Sequence, residues 1–458
     1  MPVSPRALGC AAALTLLATS PLARAQPATA TAPADAADPA DVSGLERPAE
    51  SSWDAAREVA NVLVFVPRET IDLVFQGMTA AAELVENEHL VPRVREIFST
   101  TGGEVFAFPT LFAETSHGAS VGARMIAFAD YAATTFRVGF GGIHDLVAEA
   151  RVLVRARREH VPLQLALEGL VERRSGLEYL GVGQTPTRDP RNVYRPERVS
   201  DVALYGETRV RAIAEAGLRL DDLTELFLST SLGRRTIVDE PGLEGTRDEG
   251  RELSRVFVDP PFVSRDTWTS YSEAALRLDT RRTRGRPSPG LSLEGYLGGV
   301  TELRGEDVAL VRGGGRLAGF IPIYRASNIL SPRLVLDLER SFSTGPVPFT
   351  ELAQQTDFRG FDTHRDLVSA VGSLDFAWQL VDFLGARLFL DAAIVAPSVG
   401  DLDFTHLRQL RFVAGAGFDL YSATTSLGQL SLSVGPEGAR ALLSFGVPRG
   451  HGDRQHWE

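Results

Sequence analysis

From Pro162 to Arg173 apolar and polar positions alternate: Leu163, Leu165, Leu167, Gly169 and Val171 share one face, and Gln164, Ala166, Glu168, Leu170 and Glu172 the other. Arg387 to Val395 repeats the pattern, with Leu388, Leu390, Ala392 and Ile394 opposed to Arg387, Phe389, Asp391, Ala393 and Val395. Arg333 to Ser341 does the same, with Leu334, Leu336 and Leu338 set against Arg333, Val335, Asp337, Glu339 and Ser341. A period of two is that of a strand whose two faces meet different surroundings. It predicts sixteen strands, at 104–113, 117–129, 132–142, 144–157, 162–174, 199–215, 219–234, 267–281, 290–301, 307–322, 331–343, 366–380, 385–396, 408–420, 427–436 and 439–447. Soluble sandwiches and membrane barrels both alternate, so length and charge must choose between them. Many segments run to roughly 10–15 residues, near the about 9–11 that cross a bilayer at a tilt and beyond the usual 5–6 of soluble strands. The polar faces also carry charge in mid-strand, as at Glu149, Arg151 and Arg155 or Glu273, Arg277 and Asp279. A dry core rejects such groups, whereas a wet lumen accepts them. The fold class expected is all-β, a transmembrane antiparallel barrel of about 16 strands over 104–447, an even number as bacterial barrels require. With both termini periplasmic, the long connections 175–198, 235–266 and 344–365 all fall on the outward side.

Upstream the period changes. Val59, Val62, Leu63 and Val66 recur at helix spacing, Pro67 interrupts, and Ile71, Val74, Phe75 and Met78 resume, so 51–103 reads as a short periplasmic helical segment. Residues 26–50 are mostly Ala, Pro, Asp and Thr, with too little large apolar surface to offset ordering entropy, which predicts a disordered linker. Arg6 precedes an apolar run from Ala7 to Ala18, and Ala23-Arg24-Ala25 follows, the signature of a secretory signal peptide over 1–25. Cleavage there would remove Cys10, the only cysteine, and with it disulfides, Cys-ligated metals and thiol nucleophiles. A lipoprotein reading of Cys10 is weak because the apolar run mostly follows it. Beyond the signal no stretch reaches the about 18 apolar residues of a membrane helix. A secreted soluble protein and an outer-membrane barrel remain. The 47 basic and 59 acidic residues give a net charge of −12 with no dense basic block, so nucleic acid is not an expected partner. A polar tail, 448–458, closes the chain.

Little else carries chemistry. Gly118-Ala119-Ser120-Val121-Gly122 has the spacing of a nucleophile elbow, but that motif needs a strand, a sharp turn and a helix, and here it lies inside a long predicted strand. No catalytic residue and no enzyme activity is expected. His451, His456 and Glu458 sit in a short polar tail that reads as solvated, and neither a metal nor a cofactor is expected. Trp268 and Trp378 fall opposite the charged faces of their strands, as girdle aromatics at the bilayer interfaces would, with Tyr421 a third candidate. Pro109, in the middle of the first strand, cannot donate a ladder hydrogen bond and suits a poorly paired edge, the barrel's seam.

Asp357-Phe358-Arg359-Gly360-Phe361 lies in the sixth outward connection, followed by a strand from Ser369 to Leu380 and by Ala386-Arg387-Leu388-Phe389-Leu390-Asp391-Ala392. Phe412 to Phe418, Gln429 to Gly435 and Glu437 to Gly446 follow as three closing strands; Phe112 to Gly118 and Tyr179 to Gly183 match more diffusely. In these features the chain resembles the bacterial surface antigen superfamily of outer-membrane barrels, the BamA/TamA type. The resemblance implies a sixth loop folded into a sixteen-stranded barrel, with Arg359, Gly360 and Phe361 at its tip and Asp391, with Asp375 second, as acidic partners of Arg359 on the inner wall. It further implies residence in the bacterial outer membrane, with lipid and periplasmic or outer-membrane proteins as partners, and a role in transport or membrane biogenesis; a passive channel or structural barrel plugged by the loop is the alternative. Two departures stand out. The 51–103 segment is too short and too helical for the POTRA modules of the assembly machines, and a polar tail follows the last strand where the family ends on an aromatic residue.

Overall fold

In the computed structural model the described residues are 104–445, apart from the connections 115–117, 130–131, 143–144, 156–162, 241–248, 259–265, 283–286, 305–307, 324, 344–346, 356, 362–363, 382, 404–408 and 422–425. The expected signal peptide 1–25, linker 26–50, helical segment 51–103 and tail 448–458 lie outside them. The strands are β1 (Val105–Glu114), β2 (Gly118–Phe128), β3 (Ala132–Gly142), β4 (Asp145–Arg155), β5 (Leu163–Tyr179), β6 (Ala203–Arg219), β7 (Thr224–Asp239), β8 (Asp266–Asp279) and β9 (Gly290–Glu302). They continue as β10 (Ala309–Ile323), β11 (Arg325–Ser341), the short pair β12 (Ala353–Gln354) and β13 (Arg365–Asp366), β14 (Val368–Val381), β15 (Leu384–Ala396), β16 (Arg411–Tyr421), β17 (Ser426–Gly435) and β18 (Gly438–Phe445). Sixteen of them close into one antiparallel barrel in which each pairs with its neighbour in the chain and β1 meets β18; β12 and β13 form a separate ribbon. Among the described residues no helix is long and apolar enough to cross a membrane.

The faces are those set by the period of two. Glu168 and Glu172 of β5, Asp337 and Glu339 of β11 and Asp391 of β15 are buried toward the lumen, while Leu167, Leu334, Leu390 and Leu432 are exposed on the outside. This polarity is inverted relative to a water-soluble protein and is stable when lipid covers the outer face. Inside, carboxylates are paired with arginine: Arg137 with Glu149 at 2.9 Å, Arg151 with Glu215 at 3.0 Å, Arg277 with Glu294 at 3.2 Å and Arg312 with Glu339 at 2.8 Å. The chain has no lysine, so every pair can use the planar guanidinium fork.

The predicted strand boundaries shift in three places, each for a local reason. β5 runs five residues past 174 because the register slips between Arg174 and Leu177, where Gly176 takes φ +67°. That bulge turns Leu177 and Tyr179 inward, where they are buried under the outward connections. β6 and β7 lie four to five residues later than predicted. Asp221 fixes their hairpin, its Oδ1 accepting the backbone N–H of Leu223 at 2.8 Å and of Thr224 at 2.7 Å. β11 begins at Arg325 and passes through Pro332, which lies in a gap of the β10 ladder between Ala318–Arg333 and Ile321–Leu330.

Trp268 and Trp378 stand at opposite ends of β8 and β14, both on the outward face: Arg304 lies 4.8 Å over the Trp268 ring, and Trp378 stacks on Phe376 at 5.5 Å. Tyr421 is a correction. It is buried in phase with Asp419, its hydroxyl donates to Asp419 at 3.4 Å, and its ring covers Gly385, so it faces the lumen and is not a girdle aromatic. Gly118 to Gly122 lie within the continuous strand β2.

The long connections leave one end of the barrel: loop 3 (180–202), loop 4 (240–265) and loop 6 (342–367). A four-residue helix, α1 (Leu253–Val256), in loop 4 packs with Tyr179, Tyr205, Phe257 and Phe349 into a buried aromatic cluster that roofs part of the mouth. The Tyr179 and Phe349 rings lie 4.4 Å apart.

Candidate functional site

Loop 6 turns back into the lumen. Its stem is the β12–β13 ribbon, in which Ala353 faces Asp366 and Gln354 faces Arg365. Its tip begins at a turn closed by the Phe358 N–H donating to Gln355 O at 3.1 Å. Asp357 sits in this turn at φ +68°, a conformation that Asp tolerates better than most side chains. Its carboxylate lies 3.8 Å from Arg333 and 4.0 Å from Arg316 on the wall.

From that turn Arg359 reaches β14 and β15 together. Its Nε donates to Asp391 Oδ2 at 2.9 Å and its Nη2 to Asp391 Oδ1 at 2.5 Å, a bidentate fork, and its backbone N–H adds a third bond to Asp391 Oδ2 at 3.0 Å. Nη1 donates to Asp375. The guanidinium also lies 3.8 Å over the ring of Phe389. Asp391 is fully buried, so leaving it without this partner would be costly. These bonds hold the Arg359 guanidinium above its usual pKa despite burial, which acts in the opposite direction. Gly360 is buried against Val413: a Cβ there would lie 2.6 Å from Val413 Cγ2 and 2.5 Å from Phe358 Cε1. Phe358 joins Val335, Val371, Phe389, Ala393 and Val413 in a small apolar core inside the lumen.

Arg359, Gly360, Asp375 and Asp391 are thus brought together. Phe361 touches the wall through its carbonyl, which accepts from Arg411 Nη2. Pro109 is elsewhere, exposed on the outer face of β1 opposite Ala123 of β2. Among the described residues the β1–β18 ladder runs from Leu111–Phe445 to Glu114–Leu442. β1 is in register with β2 along its whole length.

Sequence reasoning missed four residues of this site. Arg411, at the start of β16, donates to Gln355, Phe361 O and Glu437 and covers the Phe358 ring at 5.0 Å. Ser433 Oγ donates to Arg359 O at 2.8 Å, and Arg440 Nη1 donates to Gly360 O. His364 is buried, its Nδ1 3.7 Å from Glu437, and desolvation together with nearby Arg411 lowers its pKa to about 3. Arg411 and Arg440 could have been found by continuing the period-two count into the last three strands, where they are the arginines at inward positions.

Loop 3 is strapped over the loop 6 stem. Arg191 forks onto the fully buried Asp366 at 2.8 and 2.7 Å and onto Asp189 at 2.9 and 2.6 Å. This holds Asp189 below and Arg191 above their ordinary pKa values, mainly through the hydrogen bonds. The Gly183 N–H donates to Arg365 O at 2.9 Å, and Gln184 Oε1 accepts from the Val395 N–H at 2.9 Å.

A closed sixteen-stranded transmembrane barrel, plugged from its loop-rich end by an arginine-tipped sixth loop, is the class that fold and site define. Its fold is that of the barrel in the crystal structure of BamA from Haemophilus ducreyi lacking POTRA domains 1–3: TM-score 0.50, 12% identity, over 75% of this chain and 70% of that one. CdiB from Acinetobacter baumannii is similar at TM-score 0.44 and 10% identity over 74% of this chain and 59% of its own. CdiB from Escherichia coli is similar at 0.46 and 10% over 75% and 63%. Neither a family model nor a curated sequence matches the chain.

Proposed function

We propose that this chain resides in the bacterial outer membrane and serves transport or membrane biogenesis there through a barrel wall that opens between β1 and β18. The observation that carries this reading is Pro109, in the middle of the strand that closes the barrel. Among the described residues β1 meets β18 from Leu111–Phe445 to Glu114–Leu442, and β1 is paired with β2 along its length. Pro109 has no N–H to donate to a ladder, which weakens the pairing of this strand.

The second reading, a passive channel or structural barrel, is favoured by the lumen itself, whose arginine–carboxylate lining and inserted loop would suit a plugged pore. Planar-bilayer recording separates the two. Replacing Ala113 and Leu443, which face each other across the closure, with cysteine allows the seam to be locked by oxidation. A seam that opens predicts large transient conductance steps that vanish on oxidation and return on reduction. Steps that persist unchanged in the locked barrel would favour the passive channel.

A further inference from the structure

Loop 6 is clasped at two places on opposite walls. β7 and β17 stand eight strands apart in the ring of sixteen, across the lumen from each other. At the tip, Ser433 of β17 holds Arg359 O while the Arg359 side chain forks onto Asp391 of β15. Before the ribbon, a single turn of 3-10 helix, Phe349–Glu351, lies against the other side. There Glu351 meets two arginines. Arg235 of β7 donates to its Oε1 at 2.5 Å, and Arg312 of β10 donates to its Oε2 at 3.4 Å and to its carbonyl at 3.1 Å. The two clasps differ in what they leave behind. Each stem arginine has a wall carboxylate of its own: Arg235 Nε lies 2.7 Å from Glu207, and Arg312 Nε donates to Glu339 at 2.8 Å. Withdrawing Glu351 therefore leaves both cations paired, and the Glu351 side chain, already 14% exposed, gains water. The Asp391 side chain is 0% exposed, and every hydrogen bond it accepts among the described residues comes from Arg359. Withdrawing Arg359 strands a buried charge, which is the costly case. Added salt separates the clasps in the same sense, because screening weakens partly hydrated pairs far more than dry ones.

We propose that loop 6 is a gate with two clasps of unequal strength, in which Glu351 lets go of the β7–β10 wall first while Arg359 keeps the tip on β14 and β15 as the pivot. Release of the stem opens a slit for small ions along the inner faces of β7 to β10 and leaves the seam closed. Glu351 is the positioning residue of this gate. The buried Phe349, two residues earlier in the aromatic cluster, is the fixed point about which the segment leading to the ribbon moves. The gate concerns loop 6 alone and needs neither an opening seam nor a cargo, so it goes beyond the transport reading and stands or falls separately from it.

The test is amide hydrogen exchange on the full chain in liposomes, at about 0.1 M and about 1 M salt, which reads the stem over 347–355 and the tip over 357–361. Salt is expected to speed exchange in the stem several-fold and to leave the tip unchanged. Glu351→Gln keeps the shape but loses the charge, so its stem should exchange fast at both salt concentrations with the tip still protected. Arg359→Ala should expose the tip and leave the stem response to salt in place. In bilayer recording at the lower salt, Glu351→Gln should add a small conductance level below that of Arg359→Ala. The added level should persist when the Ala113→Cys, Leu443→Cys pair is oxidised in a chain with Cys10 replaced by alanine. Stem and tip that open together as salt rises, or a salt response that survives in Glu351→Gln, would overturn the order of release. Absence of the added level, or its loss on locking the seam, would overturn the slit. The salt series on the unmutated chain decides the order of release even if Glu351→Gln fails to fold.

Discussion

Arg359 exposes the asymmetry of a buried ion pair: the pair itself contributes little beyond what a packed apolar contact would, but removing one member strands the other. Here the stranded group would be Asp391, which no water reaches in the docked state. Losing one partner costs about 3–5 kcal/mol in a dry interior, and less where lumenal water can enter. Arg359→Ala should therefore release the tip with the barrel still folded, seen as faster proteolysis within 344–365 and a higher single-channel conductance. Arg359→Lys should restore only part of both, since an ammonium cannot make the fork. His364 adds a pH dependence. In the docked loop its pKa is lowered to about 3, while the released loop returns it toward the ordinary 6.5. The released state thus binds more protons between those values, and docking weakens as pH falls below 6.5. At pH 5 the loss is about 2 kcal/mol. Loop 6 proteolysis should accordingly rise from pH 7.5 to pH 5, and His364→Gln should flatten the profile.

Loop 3 and the loop 6 stem share one buried charge, Asp366, held by a half-exposed arginine. Arg191→Ala would leave it with the Leu367 N–H at 2.9 Å, a weaker partner. A hydrogen bond to a charged group contributes about 1.5–3 kcal/mol. Limited proteolysis of Arg191→Ala should cut first within 180–202, before any cleavage at the tip, whereas Arg359→Ala should give the opposite order. At the other end of the chain, Pro109→Val gives β1 a donor and a side chain suited to a strand. The gain should be about 0.5–1.5 kcal/mol, read as slower amide exchange in β1 and slower unfolding of the barrel in urea. Unchanged exchange there would mean that the edge is not limited by its missing donor.

At the scale of the whole molecule, a closed ladder with no free edge and a lumen cross-tied by arginine–carboxylate pairs must lose all its strands together. The folded barrel should resist detergent at room temperature and unfold on boiling. The mature chain is therefore expected in the outer-membrane fraction, migrating on gels as two forms that interconvert on heating. Recovery as a soluble periplasmic protein would be incompatible with the exposed Leu167, Leu297 and Leu432 of its outer face.

Strand number, strand faces and the inward direction of Asp375 and Asp391 were legible in the sequence because the period-two signal is local: each residue reports its own surroundings, and one slip in register would reverse every face. Boundaries were less legible, since a bulge at Gly176 and an aspartate turn at Asp221 depend on backbone conformations that the period does not encode. Arg359 and its acidic partners were named through a resemblance, and the distances between them came only with closure, which brings residues 16 and 32 positions apart within hydrogen-bond reach. Nothing local distinguishes Arg440 from other inward arginines, nor the Arg191–Asp366 pair, 175 residues apart, from other charges. Those contacts exist because loop 6 folds into the lumen and loop 3 folds over it. The pairing of β1 with β18 is likewise a property of the closed ring, in which the first strand meets the last.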